Sequence, residues 1–172
     1  MSRVKEYSEF EDTLYDDINE DTQKDKFLIF QIGSEDYGIE IKHVVEIITM
    51  QTITEVPEMP NYIKGIINLK GKVIPLMDVS IRFNLDPIKY NERTCIVIVE
   101  VNQILVGLIV ERVSEVTKIP AFQIEGAPNT GSIIGKGFIQ GIGKSEDKIK
   151  ILLNIEKFLY HKPLFNLRKQ PV

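Results

Sequence analysis

The stretch Phe27-Leu-Ile-Phe-Gln-Ile-Gly-Ser-Glu-Asp-Tyr-Gly-Ile-Glu-Ile-Lys-His-Val-Val-Glu-Ile-Ile48 occurs a second time, in altered form, as Ile96-Val-Ile-Val-Glu-Val-Asn-Gln-Ile-Leu-Val-Gly-Leu-Ile-Val-Glu-Arg-Val-Ser-Glu-Val-Thr117. Gly107 follows Gly38 by 69 positions. At that shift Ile39 meets Leu108, Ile41 meets Val110, Val44 meets Val113, Glu46 meets Glu115 and Ile47 meets Val116. The first copy reads as a strand over Phe27–Ile32, a turn at Gly33–Asp36 and a return over Tyr37–Ile41, because β-branched and aromatic runs are punctuated by turn residues.

The repeat continues downstream. Gly65-Ile-Ile-Asn-Leu-Lys-Gly-Lys72 aligns with Gly137-Phe-Ile-Gln-Gly-Ile-Gly-Lys144, which puts Gly71 on Gly143. A four-residue insertion then brings Leu76-Met-Asp-Val79 onto Leu152-Leu-Asn-Ile155. Asp78 and Asn154 are therefore expected to open short helices, Asp78–Phe83 and Asn154–Tyr160, with the first as a side-chain cap. The second stops before Pro163, which cannot continue a helix. The chain thus holds two units, about 26–85 and 94–160, of some five short strands each. Sheets this small hide their edges best by curling closed. The expected fold is all-β with short helices: two five-stranded β-barrels packed as one compact domain. Pro75 lies inside an apolar run and cannot donate to a ladder, which predicts a strand edge or a bulge there.

The 172 residues suit one domain or two small ones, and 43% of them are hydrophobic, enough to build a core. A net charge of -4 and a pI near 5.3 argue against a nucleic-acid binder, and Lys64, Lys70 and Lys72 are the only encouragement for that alternative. No apolar run approaches the roughly 20 residues of a membrane span, so no direct membrane insertion is expected. Residues 1–25 carry nine acidic and three basic side chains. They read as a solvated tail with no secretory character. Within the tail Tyr7, Phe10, Leu14 and Ile18 recur at the helical period and allow an amphipathic helix that docks elsewhere. Residues 161–172 read as a separate basic end.

Catalytic chemistry finds little footing. Cys95 is the lone cysteine and opens an apolar strand, which suits a small core residue and a reducing cytoplasm. His43 and His161 share no metal-ligand spacing with it, so no metal is expected. The glycines Gly131, Gly135, Gly137, Gly141 and Gly143 lack the helix that a phosphate loop must lead into, and turns or close strand contacts account for them better. No cofactor and no enzymatic activity are expected. A binding role fits better. Ile41, Val44 and Ile47 read either as core or as an apolar patch with a charged rim. Glu46 and Lys70 carry opposite charges and would pair if their two segments are neighbours.

These segments, with Met59-Pro-Asn-Tyr-Ile-Lys-Gly-Ile-Ile-Asn-Leu-Lys-Gly-Lys-Val-Ile-Pro-Leu-Met-Asp78 between them, closely resemble the CheW family of bacterial chemotaxis adaptors over residues 26–160. The resemblance implies two SH3-like barrels. It implies a scaffold that links the cytoplasmic tip of transmembrane chemoreceptors to the regulatory domain of the histidine kinase CheA, in arrays at the inner face of the membrane. It places Ile41, Val44 and Ile47 at the partner contact region, with the Glu46 and Lys70 charges beside it. Gly65 and Val116 fall at positions of the receptor-binding surface. The family usually carries Arg where this chain has Lys70, and Lys loses the planar two-pronged donor.

Overall fold

The computed structural model describes residues 23–126 and 137–160. The helical period of residues 7–18 and the basic end 161–172 lie outside the described residues. The strands run β1 (Lys26–Ile32), β2 (Glu35–Glu40), β3 (Val44–Thr49), β4 (Ile63–Leu69), β5 (Lys72–Asp78), β6 (Cys95–Val101), β7 (Ile104–Val110), β8 (Arg112–Lys118), β9 (Ile124–Gly126), β10 (Ile139–Ser145) and β11 (Lys148–Leu153). Two short helices follow the second hairpin of each unit, α1 (Val79–Arg82) and α2 (Ile155–Tyr160). Both open as expected. The Asp78 carboxylate accepts from the Ile81 N–H at 3.3 Å and the Asn154 side chain accepts from the Lys157 N–H at 3.1 Å.

The strands form two sheets, ordered β3-β6-β7-β5-β4 and β8-β1-β2-β11-β10-β9. Each curls into a small SH3-like barrel. The barrels are not the two sequence units. The β1–β2 hairpin of the first unit sits in the sheet of β8, β10 and β11, and the β6–β7 hairpin of the second sits with β3, β4 and β5. Four pairings make the exchange, the parallel β5–β7 and β11–β2 and the antiparallel β3–β6 and β1–β8.

Burial explains why β1 and β6 read as continuous apolar runs rather than alternating ones. On β6, Ile96 and Ile98 pack with Ile67, Ile74, Leu76 and Ile109 inside the first barrel. Val97, Val99 and Val101 point the other way, into a larger core shared with Leu28, Phe30 and Tyr37. On β1, Phe27 and Ile29 fill the second barrel with Ile119 and Leu152. Strands buried on both faces leave no room for polar alternation. The shared core is closed by a ladder of rings, Phe30, Tyr37, Phe83, Phe158 and Phe138. Arg82, 2% exposed, lies 4.6 Å from the ring centres of both Tyr62 and Phe138 and donates two hydrogen bonds to the Phe158 carbonyl. It thereby ties α1 to α2 across the two barrels.

The repeat alignment needs one correction. The β4–β5 hairpin matches β10–β11 at a shift of 76, so Gly65 corresponds to Gly141 rather than Gly137, and no insertion intervenes. Both glycines sit in a register shift, Ile63/Gly65 and Ile139/Gly141. A Cβ on Gly65 would lie 2.2 Å from the Thr54 carbonyl oxygen, and one on Gly141 would lie 2.6 Å from that of Glu125. The Gly-Lys pairs that suggested the other alignment are unrelated in space: Gly71 is a turn residue at φ 85, whereas Gly143 is inside β10.

Pro75 is also corrected. β5 is an interior strand with β4 and β7 on either side. Pro75 faces Ile66 in a position whose N–H would point away from β4, and pairing to β7 begins only at Leu76. The missing donor falls one residue before the parallel ladder starts.

Candidate partner surface

The segment Ile41–His43 forms a single 3-10 turn that feeds β3. Ile41, Val44 and Ile47 are 1%, 2% and 1% exposed. Of the two readings, core and exposed apolar patch, the structure takes the first: the three side chains belong to the shared core. A register shift between Val44 and Glu46 is the cause. It leaves Val45 as the bulged residue, 44% exposed, because an extra residue in one strand re-aims the side chains around it. The same bulge recurs 69 positions later, where β1 meets β8 between Ile29 and Phe30. Sequence periodicity had no means of locating a bulge, and so it missed Val45.

The structure does bring Glu46 and Lys70 together. The Lys70 Nζ lies 3.5 Å from a Glu46 carboxylate oxygen, with the lysine side chain 76% exposed and the glutamate 20%. Lys70 sits at the hairpin tip with φ 54, followed by Gly71 at φ 85. Two consecutive positive φ values make the tight turn that matches strand twist. The Asn68 side chain accepts from the Gly71 N–H at 3.0 Å and steadies that tip. The tip is thus held against the β3 bulge. An exposed pair of this kind contributes about 0–1 kcal/mol, so it defines shape and charge pattern more than stability. Beyond the turn Val73 is 65% exposed.

Gly65 lies in the interior and Val116 is partly exposed. Gly65 is buried against the Thr54 backbone, at φ +147. Its absent side chain serves the chain's own close approach, where Thr54 and Ile66 bridge. Val116 is half-buried and packs against the shared core. Cys95 is buried, 1% exposed, and its thiol donates to the Arg93 carbonyl.

A family model described as a CheW-like domain matches residues 26–162. The chain belongs to the CheW-like family. Chemotaxis protein CheW of Klebsiella aerogenes is 34% identical over 139 residues, covering 81% of this chain and 84% of that protein. Chemotaxis protein CheW of Helicobacter pylori is 35% identical over 134 residues, covering 78% and 81%. The crystal structure of scaffolding protein TtCheW from Thermoanaerobacter tengcongensis superposes with a TM-score of 0.74 at 35% identity, covering 82% of this chain and 92% of that one. CheW-like architecture of two SH3-like barrels is therefore the architecture of this chain.

A second exposed feature went unnoticed in the sequence. Phe122, 84% exposed, and Ile149, 56% exposed, rim an open groove with Glu125, Lys144 and Asp147. A single phenylalanine after Pro120 carries no periodic signal that would have marked it. Among the described residues no helix is long and apolar enough to cross a membrane.

Proposed function

We propose that this chain is a non-enzymatic adaptor of bacterial chemotaxis that couples the cytoplasmic tip of chemoreceptors to the regulatory domain of the histidine kinase CheA. The observation that carries the reading is the match of the CheW-like domain across residues 26–162, with relatives named as chemotaxis proteins and aligned over more than four-fifths of their own length. The exposed Glu46–Lys70 pair supports a contact at the β4–β5 turn. It joins a hairpin tip to a bulge, with the exposed Val45 and Val73 close by in sequence. Apolar side chains with a charged neighbour suit a partner that brings its own apolar centre and polar rim. The location that follows is the receptor array at the inner face of the membrane.

Calorimetry with the CheA regulatory domain tests this. Binding at micromolar affinity or tighter, about -8 kcal/mol, is expected. Glu46→Lys weakens it about tenfold or more with the fold intact, and Lys70→Glu in the same chain restores part of the loss. Absence of binding by the unaltered chain refutes the adaptor reading.

A further inference from the structure

We propose that Asn68 is a positioning residue of the partner surface: its side chain holds the β4–β5 turn in the backbone shape that keeps Lys70 on Glu46. The assignment rests on the adaptor reading and adds a residue to the same site.

At this turn the chain departs from the residues such turns favour. Two-residue turns of this twist take Asn, Asp or Gly at their central positions, because both need positive φ. Gly71 at φ 85 meets that demand, and a Cβ there would find nothing within 4 Å. Lys70 at φ 54 does not meet it. A long L side chain in the left-handed region carries backbone strain, and such strain persists only where the surroundings hold it. A lysine kept there against that strain implies a use for its charge.

The ion pair is too weak to be the hold. The Lys70 Nζ stands 3.5 Å from the Glu46 carboxylate with 76% of the lysine side chain exposed. Water screens such a contact, and ordering a flexible lysine opposes it. The Glu46 end is fixed separately, by the register shift that sets its place on β3. The Lys70 end is fixed by Asn68, whose Oδ1 accepts from the Gly71 N–H at 3.0 Å. That bond closes a ring of chain from Asn68 to Gly71, so the backbone on both sides of Lys70 is held at once.

The equivalent hairpin shows that the fold does not demand this bond. Lys144 stands at the Asn68 position, opposite Ile149 as Asn68 is opposite Val73. Its ammonium has no acceptor to offer and lies 3.3 Å from Glu125. The Glu146-Asp147 turn keeps positive φ at both residues all the same. What Asn68 adds therefore belongs to the hairpin that carries Lys70. Without it the turn still forms but samples other shapes, and only the fraction with Lys70 in place is ready for a partner. A tip in place a fifth of the time lowers apparent affinity about fivefold.

Calorimetry of the full chain against the CheA regulatory domain, with hydrogen exchange at the Gly71 amide, tests this. Asn68 is exposed, so Asn68→Ala is expected to keep the parent's midpoint of chemical denaturation. Its Gly71 amide is expected to exchange faster and its affinity to fall about fivefold. Asn68→Asp keeps an acceptor and is expected to slow the amide again and recover most of the affinity. In a Lys70→Ala background, Asn68→Ala is expected to change affinity by less than about twofold, because no ammonium remains to be aimed. A full fivefold loss in that background makes Asn68 a direct partner contact and overturns the proposal. An unchanged Gly71 amide or an unchanged affinity in Asn68→Ala overturns it too, as does Asn68→Asp behaving like Asn68→Ala in both readouts. Failure of the unaltered chain to bind strikes the adaptor reading and this proposal together, whereas a binding parent with an indifferent Asn68→Ala strikes this proposal alone.

Discussion

The β4–β5 and β10–β11 hairpins occupy equivalent places in the two barrels and share a backbone, yet they are built from different chemistry. Both turn through two residues of positive φ, Lys70-Gly71 in one and Glu146-Asp147 in the other. Where the first hairpin has Ile74 facing the barrel interior, the second has Lys150, whose Nζ lies 2.9 Å from Asp36 with 5% and 13% of the two side chains exposed. The positions equivalent to Asp36 and Lys150 in the first barrel are Leu105 and Ile74, both apolar, with Ile74 in its core and Leu105 partly buried against it. Where the first has Pro75, the second has Ile151, and parallel pairing to β2 extends back to Lys150. One fold has thus been filled once with hydrocarbon and once with a buried ion pair. Backbone geometry sets what a position demands, and several side-chain solutions meet the demand.

The sharpest probe of that equivalence is the pair of glycines. Gly65→Ala forces a Cβ into the Thr54 carbonyl oxygen at a φ that L residues avoid, and we expect a loss of about 4 kcal/mol from overpacking and backbone strain together. Gly141→Ala meets the Glu125 carbonyl oxygen at the longer 2.6 Å, without positive φ, and should cost about 2 kcal/mol. Chemical denaturation of both variants measures the difference, and equal losses would show that the φ of Gly65 carries no strain.

The ion pair gives the next largest effect. Lys150→Ala leaves a mostly buried carboxylate alone and is expected to cost about 3 kcal/mol. Lys150→Ile with Asp36→Leu copies the first barrel's solution and should recover most of that loss or exceed the parent in stability. A double variant as unstable as the single would break the comparison, since it would mean that the second barrel cannot accept the packing of the first.

The smallest effect concerns pH. His43 corresponds by the 69-residue shift to Arg112, so only one copy titrates. Burial holds the His43 imidazole below its usual 6.5, against an opposing pull from Glu40. The unfolded chain then takes up the proton first, and stability present above pH 6.5 declines as pH falls below it. His43→Gln should flatten that slope. An unchanged profile between pH 5 and 7 would assign the slope to other groups.

Much of this was legible beforehand, for physical reasons. The glycines Gly38 and Gly107 mark equivalent strand contacts, because a Cβ at either would press on Leu152 or Leu76, and a repeat anchored on them reveals the duplication. Asp78 and Asn154 announced their helices through capping chemistry. The Glu46–Lys70 pair was legible only as two opposite charges, whose pairing depended on the turn after β4 lying beside β3. What escaped was everything decided by a partner strand. A bulge such as that at Val45 depends on how β3 meets β6, and apolar residues around it read equally well as core or surface. The correspondence of Gly65 with Gly141 is set by what each glycine touches, whereas the Gly-Lys letters pointed to Gly137. The exchange of hairpins leaves no trace in either unit alone.

That exchange has a consequence for how the chain is made. A protein leaving the ribosome offers its residues in order, and the first barrel lacks two of its five strands until β7 has emerged at Val110. The β1–β2 hairpin, first out, must wait for β8, β10 and β11, the last ending at Leu153. Neither half of the gene therefore encodes a closed barrel, and a nascent chain cut short between the units would leave the apolar strands β1 to β5 without their partners.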